Sequence, residues 1–180
     1  MSRWKIIEGI NHYFITTTIV EWQNVFVSDE LFEVIIASLK YCIDHKGLHL
    51  HAYVIMPNHV HYIVSVDPAQ YLSDIMRDFN RFTSRRITRI FEKAKQTDLL
   101  DVFQKAATEE RRRNKYKVWQ EGYHPIAIYS EDFFLQKLKY MHENPVRKGL
   151  TDQAENWKYS SAQNYYLDDH STIQVECLEY

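Results

Sequence analysis

The sequence predicts an α+β protein with a ferredoxin-like sheet, antiparallel or mixed, of four to five strands packed against helices. The predicted elements follow the order β-α-β-β-α-connector-β-α, whereas a doubly wound parallel sheet would alternate strands and helices. Pro57-Asn58 joins two predicted strands by a turn too short for a parallel crossover, so these strands should be antiparallel neighbours. The 180 residues fit one domain, 1–180, with a core at about 11–166 and an acidic tail at 167–180.

The first half of the chain carries the clearest patterns. Residues 11–22 are β-branched and aromatic, which is typical of a strand. Ser28 is placed to cap the helix that follows, and Gly47 is placed to end it. Apolar residues then alternate over 48–56, and residues 59–66 are rich in Val, Ile and Tyr, so each of these segments predicts a strand.

The middle of the chain is less regular. Asp67-Pro68 predicts the start of a second helix, because Asp is a cap residue and Pro suits the first helical position. The apolar stripe of this helix runs to about residue 93. Residues 96–117 are charged and lack a clear period, which indicates a mobile or partly helical connector. A loop then leads to a short predicted strand over 126–129.

The last predicted helix follows Ser130, whose hydroxyl can cap it. Pro145 disfavours helical geometry in the residue before it, so we expect this helix to end near Asn144. The remaining residues predict short elements that pack on the core, with Trp157 and Tyr159 as anchors.

The charge is uneven along the chain, although the formal total is −2. Residues 77–117 hold 13 Lys or Arg against 6 Asp or Glu, a local excess of +7. Such an excess fits either a nucleic-acid partner or a solvated charged helix, and charge alone does not decide between them.

The two cysteines, Cys42 and Cys177, form neither a metal-binding nor a disulfide pattern, which fits a reducing cytosol. No apolar run approaches the ~20 residues of a membrane span. The N-terminus also lacks the apolar core of a signal peptide. These absences predict a cytoplasmic protein without a membrane partner.

Two small groups of residues could carry chemistry. His59 and His61 alternate along a predicted strand, so both side chains point to the same face. Such a pair can bind a divalent metal, but alternating histidines on a solvated sheet face are also common. Tyr140 and Asn144 lie one turn apart on the last helix, on the same face as Lys137. Spacing alone indicates no more than a half-buried aromatic at Tyr140, and Asn144 before Pro145 could be a simple helix cap.

Taken together and in this order, the motifs resemble a known family. Residues 57–61 (PNHVH) are followed, about eighty residues later, by residues 140–150 (YMHENPVRKGL). This pair resembles the REP-associated tyrosine transposases, in the single-tyrosine transposase branch of the HUH endonuclease superfamily. Residues 119–124 (WQEGYH) and 157–161 (WKYSS) are also similar to that family. The resemblance covers nearly the whole chain.

The resemblance implies the HUH endonuclease fold and a metal-dependent single-strand DNA endonuclease and strand transferase. It implies that His59 and His61 are metal ligands, that Asn144 holds the third ligand position, and that Tyr140 is the nucleophile. The product would be a 5′-phosphotyrosine with a free 3′-hydroxyl. The implied partner is single-stranded or hairpin DNA from a REP element, bound by a monomer or a homodimer.

Physical chemistry agrees with those roles. A tyrosine hydroxyl has an unperturbed pKa near ~10 and needs help to act as a nucleophile. A divalent ion on two imidazoles and an amide keeps its full charge, because all three ligands are neutral, and it can stabilise the charge that develops on a phosphate. Abundance favours Mg²⁺ as the cofactor, whereas imidazole ligands suit Mn²⁺ better.

Cationic side chains are predicted to contact the DNA backbone, which gives affinity but little sequence information. The predicted contacts are Arg81, Arg85, Arg86, Arg89 and Lys137. Residues 111–117 either extend this track or form a solvated charge run. Asn80 stands where the family often carries Lys, which puts one backbone contact in doubt.

The other histidines receive weaker predictions. His142 is expected at the surface, and His49 and His51 are expected to be solvated. His124 is placed either near the active site or in an ordinary loop.

Two rival functions stay open. One is a catalytically silent module that binds hairpin nucleic acid. The other is a small-molecule metal hydrolase, which would generally need a barrel of ~250 residues.

Overall fold

A computed structural model of the chain describes residues 12–110, 114–123 and 125–178. The strands are β1 (Tyr13–Thr18), β2 (Leu48–Met56), β3 (His59–Val66) and β4 (Ile126–Ala127). The helices are α1 (Asp29–Lys46), α2 (Leu72–Ala94), α3 (Thr97–Glu109), α4 (Glu131–Arg147) and α5 (Ala162–Leu167), and short 3-10 turns cover Val20–Trp22 and Ala154–Asn156. The predictions for residues 1–11, for 111–113 and for His124 lie outside the described residues.

The predicted α+β fold is confirmed. The strands form one antiparallel sheet in the order β2-β3-β1-β4. One apolar cluster joins Ile15 of the sheet to Ile35 of α1 and Phe79 of α2. A second cluster joins Phe14 of the sheet to Met141 of α4. Because side chains alternate across a strand, α1 and α2 cover one face and α4 covers the other.

The β2–β3 hairpin forms where Pro57-Asn58 predicts it, and Met56 pairs with His59 across the turn. The first strand is shorter than predicted and ends at Thr18. Glu21 and Trp22 have φ of 52° and 55°, which an extended strand cannot accommodate.

The predicted start of α2 was wrong, because the helix begins at Leu72 and not at Asp67-Pro68. The carbonyl of Asp67 accepts a bond from the N–H of Gln70 in a separate turn. The Asp67 carboxylate lies 2.8 Å from Nε2 of His49, so its oxygen is engaged across the sheet edge and does not cap the helix. The predicted connector is partly helical, as expected, since α3 forms within it.

Helix α4 continues through Pro145 to Arg147, so its predicted end near Asn144 was wrong. A proline in the last turn removes only one helical bond, that to the carbonyl four residues earlier. The N–H of Leu150 donates to the carbonyl of Pro145, and Gly149 adopts φ of +67°, so the chain closes with a left-handed glycine. The strand predicted over 126–129 is limited to Ile126–Ala127.

The acidic tail packs on the core that was expected to end near residue 166. Ile173 and Val175 are buried in the main cluster. The N–H of Glu176 donates to the carbonyl of Leu50 at 2.9 Å. The tail thereby covers the outer edge of β2 near Leu50, and residues 159–161 pair with the same edge at 53–55.

Length and apolar composition decide whether a helix can cross a bilayer. Across the described residues, no helix combines the length and the apolar composition that crossing a membrane requires.

Candidate active site

The histidine pair lies on β3, on the face that α4 covers. The ring centres of His59 and His61 are 4.7 Å apart, and the two residues are 8% and 4% exposed. Nδ1 of His59 lies 2.6 Å from Oδ1 of Asn58, and Nδ1 of His61 lies 2.7 Å from Oγ1 of Thr16. Because an amide oxygen only accepts, His59 carries its proton on Nδ1 and leaves the lone pair on Nε2.

Burial keeps both imidazoles neutral. It lowers the pKa of His59 to about 4, and the nearby Lys148 lowers it further in the same direction. Burial likewise lowers the pKa of His61 to about 3, with added repulsion from His59, Lys137 and Arg147. At neutral pH each ring therefore offers a lone pair and no charge.

Helix α4 brings Tyr140 and Asn144 to the same place. The ring of Tyr140 meets that of His61 edge to face, with centres 5.4 Å apart, and Tyr140 is 41% exposed. Nδ2 of Asn144 lies 3.4 Å from Nε2 of His59. All four side chains belong to one chain, so the arrangement is complete within it.

Cationic groups surround this cluster. The guanidinium carbon of Arg147 lies 4.7 Å from the ring centre of Tyr140, and Nη2 donates to the Tyr140 carbonyl at 2.7 Å. Nζ of Lys137 lies 4.9 Å from the ring centre of Phe14, which in turn stacks on His61. A phosphate at the exposed edge of Tyr140 would therefore meet positive charge.

Three residues of the site were missed from the sequence. Arg147 could have been found from the sequence, because it lies seven residues after Tyr140 and thus on the same helix face. No sequence pattern points to Thr16, since only the pairing of β1 with β3 brings Thr16 and His61 together. Asn58 was assigned to the turn, and its side-chain bond to His59 was not foreseen.

The structure tests whether these residues suit a cation. No three His, Cys, Asp or Glu side chains within the described ranges are grouped to hold a metal ion. The candidate set differs, because its third member is an amide. Nε2 of His61 is buried and has no hydrogen-bond partner among the described residues, as expected for an atom that awaits a ligand. A half-turn of the Asn144 amide would present Oδ1, so the set fits a divalent cation completed by phosphate and water.

The prediction for His142 was wrong, because this residue is fully buried. Its Nε2 lies 2.9 Å from Oγ of Ser161, which accepts a bond from the N–H of Tyr53. Burial lowers its pKa to about 4. The side chain therefore links α4 to β2, between the two candidate site residues Tyr140 and Asn144.

The other two described histidine predictions differ in outcome. His51 is buried, contrary to expectation, and its Nε2 lies 2.8 Å from Oγ of Ser65. His49 is partly exposed, but it bridges Asp67 and Glu176.

The four arginines of α2 that were predicted to contact DNA are exposed, and they lie on the other side of the sheet from α4. Arg81 and Arg85 line a cleft of about 510 Å³, whereas Arg86 and Arg89 do not. The structure thus gathers Lys137 with the histidine pair and leaves the arginines apart. Of the charge run at 111–117, Lys117 pairs with Glu110.

Comparison with known proteins gives the family. A family model described as transposase IS200 like matches residues 11–144, which include both histidines, Tyr140 and Asn144. The chain belongs to the IS200-like transposase family, as the motifs indicated. Membership of this family implies a DNA-processing enzyme that acts in DNA transposition.

The chain is also similar to solved structures, and the first of them supports the fold. A REP-associated tyrosine transposase bound to a REP hairpin has a TM-score of 0.59 and 15% identity, over 100% of this chain and 95% of that one. A transposase-like protein from Deinococcus radiodurans has a TM-score of 0.49 and 19% identity, over 79% of this chain and 97% of that one. No curated protein matches the chain.

Proposed function

We propose that this protein is a metal-dependent single-strand DNA endonuclease and strand transferase that acts on hairpin-forming repeat DNA through Tyr140. The observation that supports it is the packing of Tyr140 against His61, with Asn144 beside His59, in one chain. The structural neighbour that holds a REP hairpin supports hairpin DNA as the substrate.

In this proposal Oη of Tyr140 attacks a phosphorus atom, and the bond from phosphorus to the 3′-oxygen breaks. The phenol gives up its proton and the leaving 3′-oxygen takes one up, so protons balance. The DNA keeps a free 3′-hydroxyl, and the 5′-phosphate stays on Tyr140. Attack by another 3′-hydroxyl reverses the step and joins two strands without a nucleotide cofactor.

His59, His61 and Asn144 would hold Mg²⁺ or Mn²⁺ in this scheme. When bound, the ion supplies Lewis-acid stabilisation of the charge on the scissile phosphate. Arg147 and Lys137 add fixed positive charge beside the nucleophile, which favours binding of the phosphate. Thr16 and Asn58 bond the Nδ1 atoms of His61 and His59, which would leave each Nε2 available to a bound cation.

The test is a search for a protein-linked strand. A labelled DNA hairpin with a single-stranded extension is incubated with the chain and Mn²⁺ or Mg²⁺, and then separated under denaturing conditions. The wild type should carry label covalently, and chelator should abolish it. Tyr140→Phe should bind the hairpin but form no adduct, whereas the control Tyr41→Phe, on α1, should behave as the wild type.

This experiment distinguishes an enzyme from a catalytically silent module that binds hairpins. The exposed arginines could bind DNA in either case. Binding without an adduct in the wild type, in the presence of either metal, would favour the silent module and refute the proposal. An adduct that persists in Tyr140→Phe would refute the role of that residue. A mixture of the Tyr140→Phe and His61→Ala variants should form no adduct, because in this proposal each chain holds its own complete site.

A further inference from the structure

A strained turn presents an exposed tryptophan beside the histidine pair. The turn follows β1, and Glu21 and Trp22 within it have φ of 52° and 55°. Glycine adopts this left-handed region readily, whereas a residue with a Cβ does so only at a cost in free energy. Strain of this kind clusters at functional sites, where the surrounding structure holds it in place. The turn is therefore a candidate part of such a site.

Hydrogen bonds fix the turn in this conformation. The N–H of Trp22 donates to the carbonyl of Ile19 at 3.0 Å, within the turn. The N–H of Val20 donates to the carbonyl of Val118 at 2.9 Å, and Nε2 of Gln120 donates to the Ile19 carbonyl at 3.1 Å. The neighbouring segment thus holds the backbone that carries the tryptophan ring.

Asn58 connects this turn to the candidate active site. Its Nδ2 donates to the Trp22 carbonyl at 3.2 Å, while its Oδ1 lies 2.6 Å from Nδ1 of His59. The ring of Trp22 also meets the ring of His59 edge to face, with centres 6.0 Å apart. One amide therefore contacts both the strained turn and a candidate metal ligand, and the tryptophan lies beside that ligand.

Trp22 leaves most of its surface to solvent. It is 59% exposed, although tryptophan is highly buried on average. A side chain this exposed gains little from burial, so packing does not explain why it is held on strained backbone. A large aromatic surface beside a polar site is one that a ligand can cover.

The position of Trp22 favours a nucleobase as that ligand. In the proposed function, His59 and His61 hold the scissile phosphate through a divalent ion, so the bases on either side of that phosphate lie close by. Lys148 is also near enough for its charge to act on His59, and it adds to the positive field that such a phosphate would meet. The indole ring offers a flat face on which any base can stack.

We propose that Trp22 binds a nucleobase that flanks the scissile phosphate, by stacking it on the indole ring. The inference rests on the proposed function, from which it takes the place of the phosphate. Stacking would fix the strand at the base, while the histidine pair fixes it at the phosphate. The two contacts together would orient the phosphorus atom relative to Oη of Tyr140, which neither contact could do alone.

The experiment measures binding with cleavage removed. The full chain carrying Tyr140→Phe is titrated, in Mn²⁺, with a fluorescent DNA hairpin whose single-stranded extension is either intact or carries one abasic site. The abasic site is moved by one nucleotide from probe to probe. Trp22→Leu removes the ring, Trp22→Phe keeps one, and the matched control Tyr71→Leu removes another exposed ring, just before α2. Thermal melting checks that each variant is folded.

The expected result is a coupling between the tryptophan and one base. In the parent and in Tyr71→Leu, the abasic site should weaken binding about tenfold at one position, within the range of base–aromatic stacking. Trp22→Leu should bind the intact extension about tenfold more weakly, and the abasic site at that position should weaken it no further. Trp22→Phe should keep most of the affinity and its dependence on that base. In the protein with Tyr140, the cleaved phosphate should adjoin the same nucleotide.

Several results would overturn the proposal while leaving the enzyme intact. One is equal affinity of Trp22→Leu and the parent for the intact extension. Another is an abasic site that weakens both proteins equally at every position, which is the behaviour of a ring that only shields His59. A coupled base far from the cleaved phosphate would also contradict it. Failure of the proposed function has a different signature, since no covalent adduct forms in the protein with Tyr140, whereas the coupling is measured without cleavage.

Discussion

The sharpest single test of the candidate metal site is Thr16→Val. Valine has nearly the shape of threonine but lacks the hydroxyl that lies 2.7 Å from Nδ1 of His61. His61 is 4% exposed, so water cannot easily replace the lost partner. In the tautomer that leaves Nε2 of His61 available to a metal, the buried Nδ1–H would then be unsatisfied, and the ring would be free to turn away from the orientation that a ligand needs.

The magnitude follows from two independent generalisations. Leaving a buried donor unsatisfied costs about 1–3 kcal/mol. Removing the outer partner of a metal-binding histidine typically costs 10- to 100-fold in metal affinity or activity, which equals about 1.4–2.8 kcal/mol. We therefore expect the Mn²⁺ concentration that gives half-maximal adduct formation to rise at least tenfold in Thr16→Val.

Thr17→Val is the matched control, because it makes the same change one residue along the same strand. Oγ1 of Thr17 lies 3.3 Å from the hydroxyl of Tyr62, on the opposite face of the sheet. This variant should lose about 1 kcal/mol of stability in urea denaturation, with an unchanged Mn²⁺ requirement. Equal Mn²⁺ requirements in Thr16→Val and the wild type would refute the assignment of His61 as a ligand held by Thr16.

Two further predictions concern stability. Asp67 and then Glu176 raise the pKa of His49 above its usual 6.5, so its stabilising charge is present below pH 6.5 and is lost as the pH rises through the raised pKa. In urea titrations, the difference in unfolding free energy between the wild type and His49→Gln should therefore shrink over that range. A difference that stays constant would contradict this. Gly47→Ala should lose more stability than Gly149→Ala in the same assay. Both sites have positive φ, which costs an alanine about 1–2 kcal/mol, but only at position 47 would the new Cβ lie 2.3 Å from Oδ2 of Asp67. Equal losses of stability in the two variants would contradict this prediction.

The fold and most of the candidate site could be predicted because they depend on local patterns. Alternation along β3 places His59 and His61 on one face, and helical spacing places Tyr140 and Asn144 on one face, whatever the rest of the chain does. The cap at Ser130 and the stop at Gly47 are local in the same sense, whereas Ser28 occupies the cap position without a side-chain bond to the helix. The predictions at Asp67-Pro68 and Pro145 failed for other reasons. At Asp67 the long-range contact with His49 outweighed the local preference, and at Pro145 the position in the last helical turn did so.

The sequence by itself determined the two halves of the site and the elements that carry them. Only the tertiary structure decided that Tyr140 contacts His61 within one chain and that Thr16 bonds the His61 ring. It also decided that His142 is buried and links α4 to β2 through Ser161. It also separated Arg81 and Arg85 from Arg86 and Arg89, which no charge count can do. The physical reason is that strand pairing and helix packing join residues far apart in sequence, and periodicity contains no information about which faces meet.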